Sequence, residues 1–254
     1  YQCRFRALIS QNNFANSFDE SLFALTVKRL QKLGSPWVVT NQSMKVLTES
    51  TLRELNTPLN QALYETRANN TAPAIALLCK VLALRGLSKN IAGIFPSDHL
   101  VEKEENFQAA VKLGIECARK KQVVTLGVKP TYPATGYGYI EVASTQTFAE
   151  SGTGPTQIQA KPTLGFREKP NEQTAKEFIA SGNFFWNAGM FIFEVETMIG
   201  HLKTFMPELW ATMDKLAADL SNLKAIYDEA ARPTCATSID YGIMEKLKEQ
   251  VCIP

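Results

Sequence analysis

Apolar residues recur along this chain at two spacings, one typical of amphipathic helices and one typical of buried strands. The helical pattern predicts helices at 18–33, 44–55, 71–86, 102–121 and 172–181, and a helix-rich region at 195–231. Short apolar runs predict strands at 37–40, 91–95, 123–128, 164–168 and 186–193. A glycine-punctuated loop at 135–141 runs into a further strand, and the polar segment 144–163 is expected to be a mobile hairpin connection.

The order of these elements predicts the fold class. Strand, helix and strand follow each other, which implies right-handed parallel crossovers and a doubly wound sheet. We therefore expect an α/β fold with a Rossmann-like mixed, mainly parallel sheet flanked by helices. The length of 254 residues and the 45% hydrophobic content suit one domain with a large core, and we assign residues 1–254 to it.

Composition narrows the class of partner. The formal net charge is +2, and no basic tract points to nucleic acid or to a membrane surface. The apolar runs are well under the ~20 residues that a membrane span needs, and the polar start is not a signal peptide. The cysteines are odd in number and widely spaced, which favours reduced thiols in a cytoplasmic protein. They are Cys3, Cys79, Cys117, Cys235 and Cys252. A homo-oligomer is compatible with this composition.

The apolar run 91–95 ends in Pro96, Ser97, Asp98 and His99. A buried parallel strand would deliver Asp98 to the carboxyl edge of the sheet, where open α/β folds bind ligands. Asp98 is thus a candidate metal ligand. The pattern fits equally well a helix cap formed by Ser97 or Asp98.

Two further loops should meet this edge, 136–138 and 167–170. Glycines let backbone N–H groups approach oxygen, carboxylates pair with hydroxyls, and Lys169 can offset phosphate charge, so the three loops together suit a phosphorylated sugar. Taken singly, each assignment has an alternative. Tyr137 could be a core residue, and Glu168 to Pro170 could form a solvated turn.

In order along the chain, six segments resemble the nucleotidyltransferases that join a sugar 1-phosphate to a nucleoside triphosphate, most closely the mannose-1-phosphate guanylyltransferases. They are Asn70–Pro73, Phe95–His99, Thr135–Glu141, Phe166–Pro170, Trp186–Phe191 and Ser238–Lys246. The similarity covers essentially the whole chain. It implies attack by mannose 1-phosphate on the α-phosphorus of GTP, with Mg²⁺ as cofactor and pyrophosphate as the leaving group.

The resemblance also implies roles for particular residues. Asp98 would be one of two carboxylates on Mg²⁺, and Lys169 would lie near the sugar phosphate. The residues that would line the sugar pocket are Tyr137, Gly138, Glu168, Asn187 and Asp240. Those expected beside the nucleotide are Asn70, Thr71 and Ala72, with Glu65 as a further neighbour. We assign no catalytic role to His99 or His201.

The chain departs from the family pattern at both ends, so the predicted domain is incomplete there. The family begins with a strand and a glycine-rich phosphate loop that this sequence lacks, and Cys3 takes the position of a phosphate-contacting lysine. The segment with the second metal carboxylate is also absent. A longer active enzyme and a non-catalytic sugar-nucleotide-binding or regulatory subunit both fit these departures, as does a related transferase with another hexose 1-phosphate or nucleotide.

Overall fold

The computed structural model of the protein describes residues 20–152 and 157–254. Its helices are α1 Leu22–Gln31, α2 Lys45–Glu54, α3 Thr71–Leu84, α4 Glu104–Arg119, α5 Glu172–Ser181, α6 Val195–Phe205, α7 Pro207–Asp214, α8 Leu223–Glu229 and α9 Ile239–Gly242. Its strands are β1 Val38–Asn41, β2 Ala62–Glu65, β3 Ile91–Ile94, β4 Val123–Val128, β5 Gly138–Val142, β6 Ala149–Ser151, β7 Ile158–Glu168, β8 Phe184–Glu194 and β9 Gln250–Ile253. The predicted α/β class is confirmed.

The main sheet of the described residues has the strand order β3-β8-β4-β9-β7-β5, and β6 pairs with β7. The late strand β8 lies between β3 and β4 and is antiparallel to both. β3 and β4 therefore share a direction without being neighbours, and the expected parallel crossover between adjacent strands is wrong here. The parallel neighbours in this sheet are β4 and β9. Sequence order does not reveal such an insertion because β8 comes from far along the chain.

The position of β3 differs from the prediction in a second way. Within the described residues it pairs with β8 and lies at the end of the sheet path. It is half-buried, and Gly93 is exposed, whereas the apolar run predicted a fully buried strand. Its carboxyl end nevertheless delivers the 95–99 loop to the sheet edge, as expected.

Three strands were absent from the prediction: β2, β9 and the three-residue β6, which lies within the predicted hairpin connection. β2 pairs in parallel with β1 in a small separate sheet, and β9 pairs with β4 and β7. Both contain four residues, too few for a clear periodic signal. β7 also starts at Ile158, so part of the predicted hairpin connection is strand.

Helices pack closely against each other and against the main sheet. α3 is apolar on most of its surface and packs against α6 and α7. α4 lies against β4 and β8, and Gly114 permits this closeness because a Cβ there would stand 2.6 Å from Ile192 Cδ1. The loop that follows β3 thus leaves a strand that α4 packs against.

Other sequence-based expectations have varied outcomes. Cys79, Cys117, Cys235 and Cys252 are buried free thiols, as predicted. The predicted role of Cys3, and the first residues of the predicted helix 18–33, lie outside the described residues. Within the described ranges, no helix combines the length and apolar character needed to cross a membrane.

Candidate active site

A cavity of about 1130 Å³ opens where the loops after β3 and before β5 meet the middle of β8. One part of it is apolar and is lined by side chains from α1, α3, β1 and β3. The other part is polar. Its lining includes Thr71, Asp98, His99, Gly136, Tyr137, Gly138, Asn187 and Asp240. The structure thus brings together residues from most of the segments that the sequence singled out.

Asp98 lies in the loop after β3 at the polar part of the cavity, and its side chain is 64% exposed. The alternative role as a helix cap is wrong, because α4 begins later, with Lys103 at its N-cap position and no side-chain cap bond. His99 Nε2 stands 3.9 Å from Asp98 Oδ1, beyond hydrogen-bonding distance. An accessible carboxylate of this kind suits Mg²⁺, which binds through one or two carboxylates and takes further oxygens from water and phosphate.

Asn187 and Asp240 form the central hydrogen bond of the polar part. Asn187 Nδ2 donates to Asp240 Oδ1 at 2.7 Å, and Asn187 Oδ1 accepts from Gly189 N at 3.0 Å. Gly189 has a φ of +65°, and a Cβ there would lie 3.6 Å from Pro96 Cγ. This close approach places the Asn187 segment directly beside the loop that carries Asp98.

Glu168 and Lys169 stand next to this pair at the end of β7. Lys169 Nζ contacts Glu168 Oε1, and Gly138 is the strand partner of Glu168. Burial raises the pKa of Asp240, the Asn187 hydrogen bond opposes the rise, and the nearby Glu168 charge adds to it. Burial also raises the pKa of Glu245, with further contributions from Glu168 and Asp240. The predicted sugar side is therefore a cluster of carboxylates near Lys169 and Lys246, rich in acceptors for hydroxyl groups.

We expect Gly138→Ala to weaken binding at the sugar side. A Cβ at Gly138 would stand 2.6 Å from Glu168 Oε2 and 3.7 Å from Asn187 Cβ, so Glu168 must move. Titration of the variant with mannose 1-phosphate should give an affinity loss of about tenfold, equivalent to ~1.4 kcal/mol. Gly200→Ala on α6 is the control, because a Cβ there meets nothing within 4 Å. Equal affinity in both variants would contradict the close packing of Gly138 on Glu168.

Tyr137 is 46% exposed, so its alternative as a core residue is wrong. Its ring packs edge-on against Trp186 with centroids 5.2 Å apart, and Tyr132 packs against Trp186 at 4.9 Å. Tyr132 and Trp186 were not among the predicted site residues. An aromatic residue near a glycine-rich loop or a strand end does not by itself indicate a binding site, because aromatic side chains are often buried in the core.

The predicted nucleotide side is tied to the segment before α9. Thr71 Oγ1 accepts from Ile239 N at 2.9 Å, and Ala72 N donates to Thr237 O at 3.1 Å. Asn70 has a φ of +73°, and its side chain caps the amino end of α3 by accepting from Thr71 N. Ala72 is buried, so its side chain supports the helix rather than facing the cavity.

Glu65 is the last residue of β2 and is only 5% exposed. It is absent from the described lining of the cavity. Tyr227 on α8 donates its hydroxyl to Glu65 Oε1 at 3.1 Å. Burial raises the pKa of Glu65 to about 7, although the Tyr227 hydrogen bond lowers it. The structure thus places this predicted neighbour of the nucleotide behind the loop rather than on the cavity surface.

Glu65→Gln should flatten part of the pH dependence of stability. A carboxyl group whose pKa is higher in the folded than in the unfolded chain binds more protons when the chain is folded. The free energy of unfolding therefore falls as pH rises from the unfolded pKa to the folded pKa. Between the ordinary value of 4.5 and about 7, Glu65 should reduce that free energy by at most ~3 kcal/mol. Denaturant unfolding at pH 5 and 8 measures this. If the free energy of unfolding differs between pH 5 and pH 8 by the same amount in Glu65→Gln as in the wild type, the result would contradict a buried Glu65 that titrates in this range.

Several contacts in this region have no counterpart in the sequence pattern. Asn69 and Tyr227 are both buried, and Asn69 Nδ2 donates to Tyr227 O at 2.7 Å. These residues are 158 positions apart, and only tertiary structure brings them together. The doubled asparagine before Thr71 was the sole local sign of an unusual turn.

Comparison with protein families gives a match that covers most of the chain. The model of the nucleotidyl transferase family matches residues 10–231. This range includes the loops that carry Asp98, Tyr137 and Asn187.

Individual proteins are similar over nearly the same range. The xanthan biosynthesis protein XanB of Xanthomonas campestris pv. campestris strain B100 is 34% identical over 226 residues, which are 87% of this chain and 45% of XanB. A mannose-1-phosphate guanylyltransferase of Escherichia coli is 32% identical over 238 residues, 91% of this chain and 50% of that protein. This chain spans about half the length of these curated relatives.

A solved structure extends the similarity to the fold. The crystal structure described as mannose-1-phosphate geranyltransferase from Thermus thermophilus has a TM-score of 0.73 and 28% sequence identity. The match covers 92% of this chain and 64% of that chain. The sequence resemblance noted above is thus confirmed at the level of family and fold.

Proposed function

Because this chain belongs to the nucleotidyl transferase family, we propose that it forms GDP-mannose and pyrophosphate from mannose 1-phosphate and GTP. A phosphate oxygen of the sugar phosphate attacks the α-phosphorus of GTP in line. The bond from the α-phosphorus to the bridging oxygen breaks, and pyrophosphate leaves with that electron pair. No covalent enzyme intermediate is needed.

The chemistry requires little proton transfer. The attacking phosphate oxygen is already an anion at neutral pH, so no strong general base is required. The protein's tasks are to align the two substrates and to offset the charge that moves toward the leaving group. In this proposal Lys169 provides positive charge near the sugar phosphate, and Asn70, Thr71 and the amino end of α3 lie beside the nucleotide.

Mg²⁺ is the proposed cofactor, and Asp98 is the residue that would hold it. When bound, the ion would neutralise phosphate charge as a Lewis acid. Within residues 20–152 and 157–254, no group of three or more His, Cys, Asp or Glu side chains is placed to hold a metal. A site formed by one carboxylate together with substrate phosphates agrees with this donor set.

The observation that best supports the proposal is the shared cavity. Asp98, Gly136 to Gly138, and the Asn187–Asp240 hydrogen bond face one space, although they come from distant parts of the chain. An exposed carboxylate, a glycine-rich backbone segment and hydroxyl acceptors are thus available to one ligand pair. A cavity of this size can hold two substrates of nucleotide and sugar-phosphate size.

A non-catalytic sugar-nucleotide-binding subunit is the second candidate, favoured by the single carboxylate at the predicted metal position among the described residues. Pyrophosphate release from GTP and mannose 1-phosphate, measured with and without Mg²⁺, distinguishes the two. We expect Mg²⁺-dependent release. Saturable binding of GDP-mannose without release would support the second candidate.

Substrate choice is tested by parallel rates. We expect GTP to be preferred over ATP, and mannose 1-phosphate over glucose 1-phosphate. A higher kcat/KM with ATP or with glucose 1-phosphate would be consistent with nucleotidyl transfer but would reject GTP and mannose 1-phosphate as the substrates.

A further inference from the structure

Helix α8 contacts the loop between β2 and α3 at three places. The Tyr227 hydroxyl donates to Glu65 Oε1 at 3.1 Å, where β2 ends. The Tyr227 carbonyl accepts from Asn69 Nδ2 at 2.7 Å, two residues before α3 begins. Asp228 Oδ1 stands 3.7 Å from Arg67 Nη1 in the middle of the loop. One short helix thus fixes both ends of this loop.

The first two contacts lie in the interior. Tyr227 is fully buried, and Glu65 and Asn69 are 5% and 4% exposed. Hydrogen bonds in such surroundings are directional and are costly to leave unmade, so they restrict the loop more than surface contacts do. The Arg67–Asp228 pair is half-exposed and contributes less.

The loop ends in a strained residue. Asn70 has a φ of +73°, in the left-handed region that non-glycine residues seldom adopt. Such a conformation persists where surrounding contacts enforce it. Asn69, held by Tyr227, immediately precedes it. Asn70 in turn caps α3, and the next residue, Thr71, lines the cavity.

We propose that Tyr227 is a positioning residue for nucleotide binding. Tyr227 holds Glu65 and Asn69 in place. Asn70 and the amino end of α3 thereby keep the geometry that the nucleotide needs. The inference rests on the proposed function and extends it to a residue outside the cavity. Tyr227 does not line the described cavity, so its effect must pass through the loop.

The charged groups described around the Tyr227–Glu65 hydrogen bond lie at the surface or on the opposite face of β2. Arg67 of the loop and Lys224 of α8 both stand near Asp228, and these three groups interact with each other at the surface. Tyr64 and Glu49 lie on the other side of β2, because adjacent strand residues face opposite ways. The pKa of Glu65 responds to its burial and to Tyr227.

Tyr227→Phe tests the proposal because it removes only the hydroxyl. We expect the KM for GTP to rise about tenfold, while kcat and the KM for mannose 1-phosphate change less than twofold. The KM for GTP in the wild type should vary with pH around neutrality. That inflection should move to higher pH in Tyr227→Phe, since the lost hydrogen bond favours the ionised form of Glu65, and should vanish in Glu65→Gln.

Tyr64→Phe is the matched control, because the Tyr64 hydroxyl faces Glu49 Oε1 at 3.5 Å on the same strand. It should leave the KM for GTP and its pH profile unchanged. Asn69→Ala is the second variant. It removes the hydrogen bond to the Tyr227 carbonyl and leaves the Tyr227 side chain unchanged. It should also raise the KM for GTP but not the KM for mannose 1-phosphate.

A lowered unfolding midpoint in Tyr227→Phe with unchanged kinetics would overturn the inference and leave a structural role only. Equal changes in both KM values would also overturn it. A wild-type protein that transfers no nucleotidyl group at all would reject the proposed function, and the inference with it. Transfer by the wild type with an unaltered KM for GTP in both loop variants rejects the inference alone.

Discussion

Asp98→Asn should lower kcat/KM for pyrophosphate release by at least about 100-fold while the fold stays as stable as the wild type. The large loss is expected because Asp98 is the proposed protein ligand of Mg²⁺, and removal of one preorganised electrostatic group typically costs about 10²–10³ in rate. Stability should be preserved because the side chain is 64% exposed and His99 Nε2, at 3.9 Å from Asp98 Oδ1, is beyond hydrogen-bonding distance. Steady-state kinetics and thermal unfolding measure the two effects.

A matched control separates the metal role from loss of surface charge. Asp214 is 60% exposed and forms a 2.8 Å ion pair with Lys80 on the α3–α7 side of the molecule. Asp214→Asn should keep wild-type turnover. Raising Mg²⁺ should partly restore the rate of Asp98→Asn if the lost carboxylate binds the ion. Wild-type turnover in Asp98→Asn would remove this residue from the site.

Asn187→Asp should raise the KM for mannose 1-phosphate about tenfold or more, equivalent to ~1.4 kcal/mol of binding free energy. The new carboxylate can still accept from Gly189 N, as the amide oxygen does, so the local turn should persist. It cannot donate to Asp240, which stands 2.7 Å from the present amide nitrogen. Two carboxylates at that distance would share a proton, and the pKa of one would rise further.

The effect of Asn187→Asp should therefore depend on pH, with the KM closer to wild type at low pH, where the pair is protonated. Asn183→Asp is the control, since Asn183 Nδ2 donates only a long 3.4 Å bond to Val142 O just before β8. A KM that is unchanged at all pH values in Asn187→Asp would contradict the placement of the sugar ring beside Asn187 and Asp240.

Local sequence patterns predicted those parts of the site that depend on a strand and the turn after it. The apolar run before Asp98 ends at a sheet edge because β3 does, and α5 and β4 have the predicted bounds. The glycines near Tyr137 marked a crowded position, because a Cβ at Gly138 would stand 2.6 Å from Glu168 Oε2. These features are local, so one stretch of sequence contains the signal.

Other features depend on partners that are distant along the chain. The insertion of β8 between β3 and β4 reverses the expected pairing, and no local periodicity reports which strands become neighbours. Glu65 illustrates the same limit at one residue. The family resemblance implied a place beside the nucleotide for Glu65, yet Tyr227 from α8 covers it and hydrogen-bonds to it.

We propose that this site joins a sugar phosphate to the α-phosphate of a nucleoside triphosphate. Mass spectrometry tests it with GTP and mannose 1-phosphate that has ¹⁸O in its three non-bridging phosphate oxygens, in the presence of Mg²⁺. We expect GDP-mannose that retains all three labelled oxygens and pyrophosphate that has none. Absence of GDP-mannose, or label in the pyrophosphate, would contradict it.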